Sequence, residues 1–296
     1  MSGTSRRVRG GVKRVRWTGF ARNLIVDRVA HPTPSTELEG LRGVDVITLA
    51  LQSTLCQDWV RRYVPEWKTR FGDIRHKKLL EFFTTFTLLN PQPEHSFLDG
   101  AGGIHTYVSV LECRERYLQD AKVTDWLRRQ VGKGVVCIEG DAGAIPLPDA
   151  HVDRVACHHS FEHFQGESDI AFLREVQRLL APGGRCCIVP LFVATRYLEV
   201  TDALTLARKF DRRSWRVIDP TASIPGGSWC GNYARIYDVT AVRERLLANI
   251  DRDLFRVTIA QVTLDGEEVP DLALTCHRHV TAINRPYRAL LIERRA

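Results

Sequence analysis

Three aspartates, Asp99, Asp120 and Asp141, each close a run of strand-like composition, and a histidine cluster closes a fourth. His95-Ser-Phe-Leu-Asp99 leads into Gly100-Ala-Gly-Gly103, and Arg116-Tyr-Leu-Gln-Asp120 follows. Val135-Val-Cys-Ile-Glu-Gly-Asp141 precedes Ala142, and Val152-Asp-Arg-Val-Ala-Cys157 ends in His158-His-Ser-Phe-Glu-His163. Carboxylates at the ends of adjacent parallel strands can accept hydrogen bonds from a nucleoside, and small residues after Asp99 let the backbone approach it closely. His158, His159 and His163 are the candidates for a base or positioning group, since imidazole changes charge near neutral pH. Aspartate is also a common helix cap, so one such residue carries little weight. Three at successive strand ends favour ligand contacts.

The elements that must position these groups follow from periodicity. From His95 onward strands alternate with helices, the pattern of a parallel α/β sheet. Residues 102–113 and 121–131 read as the first two crossover helices. Residues 168–180 form an amphipathic helix through Ile170, Phe172, Leu173, Val176, Leu179 and Leu180, stopped by Pro182-Gly-Gly184. A strand follows over 185–190, then an irregular insertion near the site at about 201–231, a helix over 239–250, and closing strands at 255–264 and 287–293. Upstream, Val46, Leu49, Leu51, Leu55, Trp59 and Val60 fall at helical spacing across 45–64, and a second helix is predicted over 75–89. The chain thus divides into a basic flexible leader (1–35), a helical flank or lid (36–93) and an α/β domain (94–296).

Net charge is +7, but eight basic residues against Asp27 alone within residues 1–30 account for all of it. The rest is formally neutral, which argues against a long track for nucleic-acid phosphates. No apolar core follows Arg6-Arg7, so export is not expected, and the longest apolar run, 186–194, is too short to span a bilayer. A cytoplasmic location is expected. The eight cysteines include no C-x-x-C pair and mostly sit in apolar runs, which predicts reduced, buried thiols and no metal site. Cys276-His-Arg-His279 reads as a strand or turn.

The segment from about residue 95 to 195 resembles a class I S-adenosylmethionine-dependent methyltransferase of the small-molecule, type 11-like group. The resemblance rests on Glu139-Gly-Asp-Ala-Gly-Ala-Ile-Pro-Leu-Pro-Asp149, Val152-Asp153, Ser160-Phe-Glu-His163 and Leu173-Arg-Glu-Val-Gln-Arg-Leu-Leu-Ala-Pro-Gly-Gly184, all in order and spacing. It implies a Rossmann-like, doubly wound, mostly parallel seven-stranded sheet with the N-terminal helical flank beside it. It further implies S-adenosyl-L-methionine as cofactor and methyl transfer by in-line displacement to a small-molecule or biosynthetic-intermediate acceptor. The implied cofactor contacts are Asp99, Gly100, Ala101, Gly103, Asp120, Asp141, Ala142 and His158. Asp120 would take the ribose hydroxyls, Asp141 the adenine amino group and the Ala142 N–H a ring nitrogen.

The family's G-x-G-x-G turn is Ala101-Gly-Gly103-Ile-His105 here, which keeps only the middle glycine in register. That departure supports a second reading, a non-catalytic binding or scaffold protein on a methyltransferase fold. Nucleic acid is not an expected partner: Cys157-His-His-Ser offers neither an Asn/Asp-Pro-Pro-Tyr-like motif nor a Pro-Cys. A nicotinamide oxidoreductase would want G-x-G-x-x-G, whose final glycine is His105. Tyr233 and Arg235 are further candidates for acceptor contacts, although a lead-in to the next helix is the simpler reading.

Overall fold

The computed structural model describes residues 33, 35–64, 77–103, 107–201, 210–218, 233–269 and 286–296. The predicted leader up to residue 32, His105 and Cys276-His-Arg-His279 lie outside the described residues. In chain order the elements are α1 (Ser35–Glu39), β1 (Asp45–Leu51), α2 (Ser53–Tyr63), α3 (Lys77–Leu89), β2 (Ser96–Gly100), β3 (Glu115–Asp120), α4 (Asp125–Val131) and β4 (Val136–Glu139). There follow β5 (Val152–His158), α5 (Ser168–Leu179), β6 (Leu180–Val189), β7 (Leu198–Thr201), β8 (Trp215–Ile218) and β9 (Tyr233–Ile236). The last are α6 (Val239–Ala241), which continues as π and 3-10 turns to Asn249, β10 (Phe255–Leu264), β11 (Glu267–Glu268) and β12 (Arg288–Arg294).

The main sheet runs β1-β10-β12-β6-β5-β2-β3-β4, with β11 on β10. Every ladder is parallel except those of β12 and β11. Winding outward in both directions from β2 and β5 makes their carboxyl ends the switch point, where a doubly wound sheet opens a crevice. This is the expected α/β architecture.

Period-two alternation covers both faces. Phe97, Leu118, Ala156, Cys187, Val262 and Leu291 pack on one side with α2, α3 and α4. Leu98, Tyr117, Val155, Cys186, Ile259 and Leu290 pack on the other with α1 and α5. The central strand β2 is buried along its whole length, as parallel strands covered on both faces must be.

Two expectations are corrected. Residues 45–64 are not one helix: Asp45–Leu51 is a strand, parallel to β10 from Asp45 opposite Thr258 to Leu51 opposite Leu264. The β-branched run Val46-Ile47-Thr48 suits a pleated surface, and a seven-residue ladder outweighs the two or three side chains at helical spacing. The flank therefore adds a strand to the sheet, which among the described residues has nine, β11 included. The first crossover helix also fails to form as predicted; among the described residues it is one 3-10 turn, Tyr107–Val110. Val108 and Val110 are stiff β-branched residues, and the Arg116 guanidinium takes the carbonyls of Ser109 and Leu111 at 3.2 Å each.

The insertion is larger than predicted, beginning at Leu198 and returning at Ile236 as a small sheet β8-β7-β9 over Phe192, Leu198, Val200, Val217 and Ile236. Arg235 lies fully buried within it, 2.7 Å from Asp169 and 3.1 Å from Glu199. Arg245 joins at 2.7 Å from Asp169, and both arginines donate to the Gly166 carbonyl. Among the described residues all six cysteines are unbridged, and no helix is long and apolar enough to cross a membrane.

Candidate active site

Gly100, Asp120 and His158 end β2, β3 and β5, and Asp141 lies two residues past β4, so one sheet edge carries all of them. A crevice of about 530 Å³ opens there, lined by Ala101, Gln119, Asp120, Ala121, the 140–142 turn, Ser160, and His163 through Gln165 with Ser168. Of the predicted contacts, Ala101, Asp120, Asp141, Ala142 and His163 thus meet around one cavity.

The turn after β2 is held from three sides. Ala101 N–H donates to Gln119 Oε1 at 3.0 Å, Gly103 N–H donates to Asp120 Oδ2 at 2.9 Å, and Ser160 Oγ donates to the Ala101 carbonyl at 2.8 Å. Ala101 has φ +51°, the left-handed path a glycine would follow, so the turn tolerates its Cβ. Gly102 does not have that latitude: a Cβ there would lie 2.7 Å from the Asp99 carboxyl carbon.

Gln119, missed by motif reasoning, ties the site together. Its Nε2 donates to the Gly140 carbonyl at 2.7 Å while its Oε1 receives Ala101, so one buried amide spans the two loops that face each other. The available signal was its position, one residue before the acidic strand end. Such an inward polar side chain must satisfy both amide ends.

Asp120 accepts from Gly103 and, through Oδ1, from Lys122 N–H at 3.0 Å. Burial pushes its carboxyl pKa up, with Asp99 adding to the rise and these backbone donors opposing it. Asp141 is exposed and turns its Oδ1 onto Gly143 N–H at 2.8 Å, which shapes the Gly140–Asp141–Ala142 loop.

Asp99, Gly100, Gly103, His158 and His159 are not in the crevice wall. Asp99 is 1% exposed beneath the turn; its Oδ1 is 3.4 Å from His158 Nδ1, and among the described residues its Oδ2 has no hydrogen-bond partner. His158 shares a 2.9 Å hydrogen bond with Thr85 Oγ1 and sits edge-on to Phe82 and Tyr107, a packed position under the site. His159, at φ +50°, turns back to Glu81 Oε1 at 3.0 Å. His163 does reach the crevice; its Nδ1 donates to the Tyr233 carbonyl at 2.5 Å and its Nε2 lies 3.7 Å from Glu162. Tyr233 and Arg235, on β9 and not in a lead-in to a helix, are buried in the Glu199 network. Among the described residues no cluster has metal-ligand geometry.

Residues 105–188 match the family model described as a methyltransferase domain. A ubiquinone/menaquinone biosynthesis C-methyltransferase UbiE from Caulobacter sp. (strain K31) is 30% identical over 148 residues, 44% of this chain and 54% of that protein. The enzyme of the same name from Caulobacter vibrioides (strain NA1000 / CB15N) is 29% identical over 148 residues, with the same coverage. The chain spans about half the length of the curated relatives it matches. Among solved structures, a Burkholderia thailandensis 1,6-didemethyltoxoflavin-N1-methyltransferase superposes with TM-score 0.41 at 15% identity, covering 82% of this chain and 87% of that one. The YcgJ protein of Bacillus subtilis gives TM-score 0.33 at 23% identity, covering 38% and 52%.

Proposed function

We propose that this chain, whose residues 105–188 match the methyltransferase-domain family model, is an S-adenosylmethionine-dependent methyltransferase acting on a small-molecule acceptor. The observation that carries the reading is the crevice at the switch point, where Asp120, the Gly140–Asp141–Ala142 loop and the Ala101 turn face one cavity. Its chemistry fits an adenosyl group. Each Asp120 oxygen accepts one backbone N–H and keeps acceptor capacity for a ribose hydroxyl. The exposed Asp141 and the Ala142 backbone suit adenine. S-adenosylmethionine supplies a methyl group on cationic sulfur, and the chain's task is to align an acceptor with it and exclude water. His163 is the group placed to receive a proton where the acceptor must lose one. A biosynthetic intermediate as acceptor accords with the names of the Caulobacter relatives.

Titration with S-adenosylhomocysteine tests this. At a concentration a hundredfold above Kd the folded state gains about 2.7 kcal/mol. At roughly 2–4 °C per kcal/mol for a chain of this size, the melting temperature rises by about 5–10 °C. Asp120→Ala should lose most of that rise. Absence of any shift in the parent protein at millimolar ligand refutes the reading and leaves the scaffold alternative.

A further inference from the structure

Glu162 is 2% exposed, and among the described residues neither of its carboxylate oxygens has a hydrogen-bond partner. The ring nitrogens within 4 Å of it are His159 Nε2 at 3.5 Å and His163 Nε2 at 3.7 Å from Oε1. His159 is committed on its other side to Glu81, which also takes Lys78 Nζ at 2.9 Å. Lys78 thus pairs with Glu81, and among the described residues no Lys or Arg is paired with Glu162. Among the described residues the Tyr287 hydroxyl is likewise buried without a partner, and His159 Nε2 makes no hydrogen bond. Burial, with Glu81, Cys187 and Glu162 nearby, pushes the Tyr287 phenol pKa well above its ordinary value. Phe192 stands edge-on to His159 at 6.0 Å.

An unpaired buried carboxylate costs several kcal/mol, by order of magnitude, unless donors reach it. Here the atoms without partners come from two separate segments, the turn after β5 with Glu162 and the residue before β12, Tyr287. The neighbouring His163 lines the crevice wall, so the cluster adjoins the proposed methyl-donor site. That is the pattern of a binding position whose cost the rest of the fold absorbs.

We propose that the buried, unpartnered Glu162 carboxylate, assisted by the unpartnered Tyr287 hydroxyl, seats the methyl acceptor, and that this acceptor is an amine received as its ammonium ion. The proposal rests on the methyltransferase reading and names its substrate class. An ammonium brings positive charge and several donors, enough for both Glu162 oxygens and the Tyr287 oxygen. An alcohol brings one donor and no charge, and an anionic acceptor is repelled by Glu162. For transfer, the bound nitrogen gives one proton to the His163 imidazole. The nitrogen's lone pair then forms the N–C bond as the C–S bond of the donor breaks, and that bond's electron pair stays on sulfur.

The test uses the full chain and calorimetry, with benzylamine and benzyl alcohol as probes of matched size. S-adenosylhomocysteine is titrated first. If the parent protein fails to bind it, the methyltransferase reading falls; if it binds, the probes test the acceptor proposal separately. On the protein saturated with S-adenosylhomocysteine, benzylamine should bind about tenfold or more tightly than benzyl alcohol, the scale of a charge-assisted hydrogen bond. Glu162→Gln should erase that preference while leaving S-adenosylhomocysteine affinity within about twofold. Tyr287→Phe should weaken the amine alone by about threefold or more, the scale of one neutral hydrogen bond. Should Glu162→Gln fail to fold, the Tyr287→Phe titration decides between retained and lost amine preference. Equal affinity for the two probes, binding of neither at millimolar concentration, or full amine preference in the variant that folds overturns the proposal.

Discussion

Gln119→Glu isolates the amide that joins the two cofactor loops, because it changes one atom's hydrogen-bonding role and almost nothing of its shape. In the parent protein Gln119 Oε1 accepts from Ala101 N–H at 3.0 Å and Nε2 donates to the Gly140 carbonyl at 2.7 Å. A glutamate keeps the first contact and sets a carboxylate oxygen against the Gly140 carbonyl oxygen, two acceptors in a site 1% exposed. Only the protonated acid restores the donor. Holding a glutamic acid of ordinary pKa near 4.3 protonated costs about 1.4 kcal/mol per pH unit above that value. The stability deficit is therefore bounded at about 1 kcal/mol at pH 5, about 2.3 at pH 6 and about 3.7 at pH 7. The sign follows from a raised folded-state pKa: the variant matches the parent below about pH 4 and loses stability as pH climbs toward that raised value. Urea unfolding of both proteins between pH 5 and 8 measures the difference directly, and other titrating groups cancel. A deficit that does not change with pH, or no deficit at pH 7, would show that Gln119 does not bridge the loops as described.

Two further outcomes follow from the same geometry. Gly102→Ala places a Cβ 2.7 Å from the Asp99 carboxyl carbon, so either Asp99 or the turn must move. Overpacking of this kind costs about 1–3 kcal/mol, and S-adenosylhomocysteine affinity should fall about tenfold or more by calorimetry; unchanged affinity refutes the close approach. Asp169→Asn removes the charge between Arg235 and Arg245, each 2.7 Å from it, and should destabilise by roughly 3–5 kcal/mol. Although burial opposes it, hydrogen bonds from Arg245 and the Arg235 charge hold the Asp169 carboxyl pKa low. Its stabilisation is thus present above the unfolded value of about 3.9 and lost as pH falls through the lowered folded value. A chemical-denaturation deficit within about 0.5 kcal/mol of zero at pH 7, or one that persists undiminished into acid, contradicts the network.

The strands from β2 to β6, helix α5 and the closing pair β10 and β12 were legible because each is a local pattern: buried runs of two-residue period, or an apolar stripe ended by Pro182-Gly-Gly184. Their carboxyl-end acids could be placed on one edge because right-handed crossovers leave parallel strands no other arrangement. Strand β1 was not legible. Its backbone partner is β10, more than 200 residues away, and nothing local in Asp45–Leu51 records that pairing.

The order of apolar and polar residues by itself determined the α/β class and the position of Asp120 at the end of β3 and Asp141 just past β4. Tertiary structure alone decided which titratable groups face the crevice. His158, His159 and His163 are near neighbours in sequence, yet backbone direction after β5 sends the first under the sheet edge, the second to Glu81 and the third to the cavity. It also decided that Gln119 spans two loops and that, among the described residues, Glu162 lies buried without a donor. Hydrogen bonding and burial depend on what arrives from elsewhere in the chain, and residue order carries no direct record of those arrivals.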